Sequence, residues 1–208
     1  MLPDDVGASC MTKKRFLMLE RKTALKILSE RTLNNLQVTY KTIEHCIKNH
    51  WNYRISSGII PLITLPEANL SIDILPDKDE IYKEFKKCAE IIQKNHIRCS
   101  THPDQFVVPA SLNPNTVKKS IIELEHHADM MDLFGLPRNY DSPINIHMNC
   151  YKGSSLEDTA NRFIKIYNSL SESVKSRLVL ENEDKPNSWN VKQLYEHIYL
   201  KTNIPITY

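Results

Sequence analysis

Three side chains in this sequence could share a divalent cation. His102 stands in Thr101-His102-Pro103-Asp104, His147 in Ile144-Asn145-Ile146-His147-Met148, and Glu181 in Leu178-Val179-Leu180-Glu181-Asn182. Each falls at the end of a short run that reads as a buried strand. Neutral imidazole and carboxylate together suit zinc, manganese or iron, and the second oxygen of Glu181 could bridge to another ion. Two neighbouring ions can activate water and stabilise the leaving oxygen of a phosphodiester. His102, His147 and Glu181 are therefore both the candidate metal ligands and the candidate catalytic residues. A single strand-end histidine is more often structural, and spacing alone leaves a shared site and three separate structural roles even.

Gln105 and Phe106 follow His102 directly. A glutamine and an aromatic ring on a loop above a metal could pack against a base or fill a distorted duplex. Equally, Phe106, Val107 and Val108 could continue into the core. The remaining histidines do not share the strand-end placement. His45, His50 and His96 fall at helix ends, where a solvated or capping role is favoured, and His126 and His127 sit inside a helical pattern. Glu183 and Asp184 could join a metal site, although a solvated loop is the better reading. The five cysteines, Cys10, Cys46, Cys88, Cys99 and Cys150, are odd in number and lack metal-finger spacing. They read as free or buried thiols in a reducing compartment.

The elements that must position these residues show in the periodicity. Leu33, Leu36, Tyr40, Ile43 and Ile47 form one face of an amphipathic helix, followed by a strand at 53–57 and a proline-punctuated loop. A second stripe, Ile81, Phe85, Cys88 and Ile92, precedes a strand at 97–101. Asn113-Pro114 is a helix start, with Val117, Ile121, Leu124, Ala128 and Met131 behind it and a strand at 144–148 beyond. Ser154 with Glu157 resembles a capping box, opening a helix that contains Ala160, Phe163, Tyr167 and Leu170. A strand at 177–181, a short helix at 191–199 and a strand at 204–208 complete the pattern, with a weaker candidate strand at 6–11. Strands alternating with helices predict a parallel α/β sheet. The expected fold is a TIM-type (β/α) barrel with about six of eight βα units present, in a single domain over 1–208. A small open sheet is the alternative.

Composition narrows the function classes. The chain has 208 residues, 41% of them hydrophobic, with 27 Lys and Arg against 25 Asp and Glu for a net charge of +2. That balance is too mild to argue for nucleic acid on electrostatic grounds, so local geometry must supply any such case. Four glycines, Gly7, Gly58, Gly135 and Gly153, exclude both the dinucleotide fingerprint and the P-loop, so no nucleotide cofactor is expected. No 18-residue apolar window or signal-peptide pattern is present. The expected protein is intracellular, neither secreted nor membrane-spanning.

The motifs together resemble the ultraviolet damage endonucleases of DNA repair. The resemblance is carried by Tyr53-Arg54-Ile55-Ser56-Ser57, Ile60-Pro61-Leu62, Leu70-Ser71-Ile72 and His102-Pro103-Asp104-Gln105-Phe106-Val107-Val108. It continues in Ile144-Asn145-Ile146-His147 and Ser176-Arg177-Leu178-Val179-Leu180-Glu181-Asn182. It implies a TIM-type barrel with up to three divalent metals, usually manganese. The implied reaction cuts the phosphodiester 5′ to photoproducts and other lesions in double-stranded DNA. By that resemblance His102 and His147 would hold one metal, and Glu181 would bridge it to a second. Gln105 and Phe106 would wedge into the duplex, with phenylalanine keeping the stacking face of the family's usual tyrosine without its hydroxyl. Met148-Asn149-Cys150 stand where the family usually has glycines, which would narrow the mouth of the site. The family's further ligands come from strands beyond the position of Tyr208. Two other readings stay open: a sugar isomerase on the same barrel, and an inactive fragment that binds DNA.

Overall fold

The computed structural model describes residues 7–149, 153–183, 185 and 187–208. Five strands, β1 (Tyr53–Ile55), β2 (Cys99–Thr101), β3 (Ile144–His147), β4 (Leu178–Glu181) and β5 (Ile206–Thr207), form one sheet in sequential order. The pairings β2–β3, β3–β4 and β4–β5 are parallel. A helix falls between every two successive strands, as consecutive βα units of a TIM-type barrel require. The chain divides into two compact units, residues 1–99 with 131–136, and residues 100–130 with 137–208.

In the first unit, α1 (Lys13–Met18) starts at Thr12, whose hydroxyl accepts from Arg15 N. The long α2 (Arg21–Lys48) packs on α3 (Lys78–Lys94). The apolar stripe expected on α3 is fully present, with Ile81, Phe85, Cys88 and Ile92 all buried. Phe85 meets Phe134 edge-on at 5.0 Å between ring centres.

On α2 the buried face differs from the one the apolar spacing implies. Leu36 and Ile43 are buried, but Leu33, Tyr40 and Ile47 are half-exposed, and Ser29, Thr32, Asn35 and Thr39 are buried beside them. Each polar residue has a reason to be inside. Ser29 Oγ accepts from Asp77 N, Thr32 Oγ1 donates to Leu28 O, and Thr39 bonds the hydroxyl of Tyr53. Asn35 Nδ2 donates to the carbonyls of Ser9, Gly58 and Ile59, while its Oδ1 accepts from Ser9 N at 2.6 Å.

That last pair accounts for a missing strand. Of the weak strand candidate at 6–11, residue 6 lies outside the described residues, and Gly7 to Met11 form no strand. Both backbone groups of Ser9 are satisfied by one side-chain amide, which takes the place of a ladder partner.

The second unit carries β3, β4, β5 and the last two residues of β2. In register, Thr101 faces Ile144, His147 faces Glu181, and Glu181 faces Thr207. Leu178, Val179 and Leu180 are all buried, the pattern of a parallel strand covered on both faces. Ahead of them, fully buried Arg177 donates from Nε to Pro137 O and from Nη1 to Ser173 Oγ.

Helix α4 (Pro114–Leu133) begins as the Asn-Pro pair predicts, with Asn113 Oδ1 accepting from Asn115 N. Helix α5 (Leu156–Tyr167) is capped one residue later than expected. Ser155, not Ser154, accepts from Asp158 N, and Ser154 Oγ instead accepts from Arg162. After the single-turn α6 (Glu172–Lys175), α7 (Val191–Leu194) opens on a true capping box between Asn190 and Gln193. It runs through a π-helical turn, Tyr195–Tyr199, into α8 (Leu200–Thr202).

Candidate metal centre

Parallel pairing brings His147 and Glu181 side by side, because they are register partners at the C-terminal ends of adjacent strands. His102 follows the last residue of β2, one strand further along the sheet. One ligand atom from each of these three residues lies within 4.8 Å of the other two. The His102 and His147 rings are 5.1 Å apart between centres, and His102 Nε2 lies 3.2 Å from Glu181 Oε2. All three are half-buried, so the cluster can exchange with solvent without being fully hydrated.

The backbone sets the chemistry of the rings. His102 Nδ1 is 3.0 Å from Pro103 O, and His147 Nδ1 is 3.2 Å from Glu181 O. A carbonyl only accepts, so each Nδ1 carries the proton and donates it. In the neutral ring the lone pair is then on Nε2. For His102 that lone pair meets a carboxylate oxygen, and two acceptors do not sit at hydrogen-bond distance without a proton or a cation between them. The donor set, two imidazoles and a carboxylate, fits a divalent ion.

The loop after His102 places its next residues on opposite sides of the core boundary. Val107 N donates to Asp104 O at 2.9 Å, closing a turn with Gln105 and Phe106 at its tip. Phe106 is 74% exposed and Gln105 is exposed, whereas Val107 is buried. The chain therefore enters the core at Val107, and the aromatic ring before it faces solvent.

A second histidine pair lies close by in sequence and differs in character. His127 is fully buried on α4, with Nδ1 2.6 Å from Thr101 Oγ1. Burial pushes its pKa down to about 3 and that of His126 down to about 4. His127 thus supports the end of β2 from behind, a role that a histidine inside a helical stripe did not reveal. Of the other candidates, His45 lies in the last turn of α2 edge-on to Trp51, and His50 and His96 are exposed in left-handed backbone. Glu183 has one buried carboxylate oxygen without a hydrogen bond among the described residues, and its N–H donates to Trp189 O. Asp184 and Cys150 lie outside the described residues. Cys10, Cys46, Cys88 and Cys99 are free thiols, and burial raises Cys88 and Cys99 to about 12. No helix among the described residues is long and apolar enough to cross a membrane.

Comparison with known proteins gives a consistent result. The family described as UV-endonuclease UvdE matches residues 3–208. A protein of Nostoc sp. named UV DNA damage endonuclease is 35% identical over 199 residues, covering 95% of this chain and 58% of that protein. A Bacillus velezensis protein of the same name is 32% identical, covering 88% and 55%. The solved structure titled Crystal Structure of SacUVDE superposes with a TM-score of 0.79 at 30% identity, covering 97% of this chain and 64% of that one. The chain thus spans little more than half the length of these curated relatives.

Proposed function

The chain belongs to the UV-endonuclease family, and we propose that it is a divalent-metal-dependent endonuclease acting on damaged double-stranded DNA. It incises the phosphodiester on the 5′ side of ultraviolet photoproducts and other lesions, at the start of excision repair. One observation carries this reading: His102, His147 and Glu181 converge within 4.8 Å of one another, and His102 opens the loop that exposes Gln105 and Phe106. The whole chain is read as one endonuclease domain, because the family match runs through both compact units. The implied setting is an intracellular compartment that holds DNA.

His102 and His147 would present Nε2 to the ion, each fixed by its Nδ1–H donation to a carbonyl. Glu181 has two oxygens and would bridge to a second ion, with manganese the expected metal. The ions would supply positive charge to the scissile phosphate and lower the pKa of an attacking water. Phe106 offers a stacking face and Gln105 a donor and an acceptor, so the turn can fill the space left by disturbed bases. The fixed stem at Val107 keeps that pair projecting.

The test is incision of ultraviolet-irradiated supercoiled plasmid with added manganese, against unirradiated plasmid. Damage-dependent nicking that disappears with chelator is expected. Turnover of a ketose sugar without nicking would overturn the reading in favour of an isomerase. Selective binding of damaged DNA with no metal restoring cleavage would reduce it to a binding fragment.

A further inference from the structure

The turn bearing Gln105 and Phe106 is held from three elements. Val108 N donates to Ser120 Oγ on α4 at 2.8 Å, and Arg162 Nε on α5 donates to Ala110 O at 2.9 Å. The third hold is Asn149, two residues beyond His147. Its Nδ2 donates to Val107 O at 3.3 Å and to His147 O at 3.2 Å. Asn149 has a φ of 63°, a left-handed conformation that asparagine tolerates better than most residues with a side chain. One carboxamide therefore links the end of the strand that carries His147 to the base of the exposed turn.

We propose that Asn149 is a positioning residue for damage recognition, tying β3 to the Gln105–Phe106 turn so that the exposed pair meets the duplex already formed. The proposal rests on the endonuclease reading above. A segment ordered before binding loses less entropy when it binds, which raises affinity without any new contact to the ligand. Ser120 and Arg162 hold residues after the turn, whereas Asn149 alone among the three bonds the carbonyl of Val107, the residue that closes it.

Two variants isolate the strut. Asn149→Gly keeps the left-handed backbone at no steric cost and removes the carboxamide. Asn149→Asp keeps the shape but faces the two carbonyls with an acceptor in place of a donor. Affinity of the whole chain is measured by anisotropy for a duplex containing one thymine dimer and for the same duplex undamaged. Amide exchange at Val107 and Val108 is followed without DNA, and manganese affinity by calorimetry. Both variants should exchange these two amides about tenfold faster and lose about fivefold in preference for the dimer, with manganese affinity unchanged. An unchanged preference overturns the role of Asn149, whether or not exchange quickens. A fivefold fall in manganese affinity in both variants also overturns it, since the carboxamide would then serve the metal site. A parent chain with no preference overturns the endonuclease reading and the proposal with it, and the preference of the parent alone separates that failure from the others.

Discussion

His102 with His147 and His126 with His127 are two histidine pairs in the same compact unit, with opposite chemistry. The first pair sits at the ends of parallel strands, half-buried, with Nδ1 given to backbone carbonyls and with His102 Nε2 against the Glu181 carboxylate. The second pair lies on a helix, where burial holds the rings neutral far below the usual histidine range. The difference teaches that an imidazole is made available as a ligand by what its second nitrogen is given and what its first nitrogen faces. Residue type decides neither. His127 faces the core and serves Thr101, one residue before His102, so a buried ring supports the strand end that a half-buried one follows.

The largest way to break this contrast is to remove a member of the strand-end cluster. His147→Ala or Glu181→Ala should weaken manganese binding about a thousandfold or more, beyond the loss typical of outer-shell changes, and abolish incision. Calorimetry and the plasmid assay check both, and metal-dependent incision by Glu181→Ala at the parental rate would remove Glu181 from the site. His127→Gln should leave manganese affinity within severalfold, which is what separates the two pairs.

Acid sharpens the contrast next. His126 and His127 have folded-state values below the ordinary 6.5, so below that pH the unfolded chain binds protons that the folded chain refuses. Their contribution is fully present above about pH 6.5 and is lost as pH falls toward 4 and 3. At pH 5 each should cost about 2 kcal/mol. Denaturant unfolding at pH 7 and pH 5 measures the difference, and His127→Gln should remove close to half of it. A parent chain equally stable at both values would mean that these rings are not neutral and buried.

A smaller effect is expected from Thr101→Val, which keeps shape and leaves His127 Nδ1 unpaired in the core. The loss should be about 1–3 kcal/mol of stability, read by urea unfolding. Manganese affinity should change little if Thr101 supports the strand end without touching the ion.

Phe106→Ala should give the smallest change, and on the other axis. Its ring is 74% exposed, so stability should shift by no more than about 0.5 kcal/mol. Affinity for a lesion duplex should fall about tenfold, within the range of base–aromatic stacking. A large stability loss with unchanged affinity would return Phe106 to the core reading.

Much of this was legible in the sequence because period and position carry it. The stripe Ile81, Phe85, Cys88, Ile92 and the strand ending at Glu181 are written as spacing, and the register that pairs His147 with Glu181 follows from parallel order. What spacing does not encode is which polar side chains go inside to hold a loop. Asn35 and Thr39 carry no apolar signal, yet both are buried on backbone or phenol partners. Ser154 and Ser155 both suit a cap, and the choice fell to Arg162, which occupies Ser154. Whether Phe106 points in or out depended on a turn closed by Asp104 and Val107, a hydrogen bond between backbone atoms with no side-chain signature.

Asn35 carries a consequence for the order of assembly. Its amide offers Ser9 the donor and acceptor that a neighbouring strand would offer, but only from a formed α2. Gly7 and Ser9 therefore gain these partners only once the part of residues 21–48 around Asn34 and Asn35 is helical, although they precede it in the chain. During refolding, the Ser9 amide should become protected no earlier than those in the centre of α2, as pulse-labelled exchange would record. Protection of Ser9 ahead of the helix would show that the segment finds another partner first. In this chain, two neighbouring asparagines of one helix, Asn34 and Asn35, decide when the segment before it takes its place.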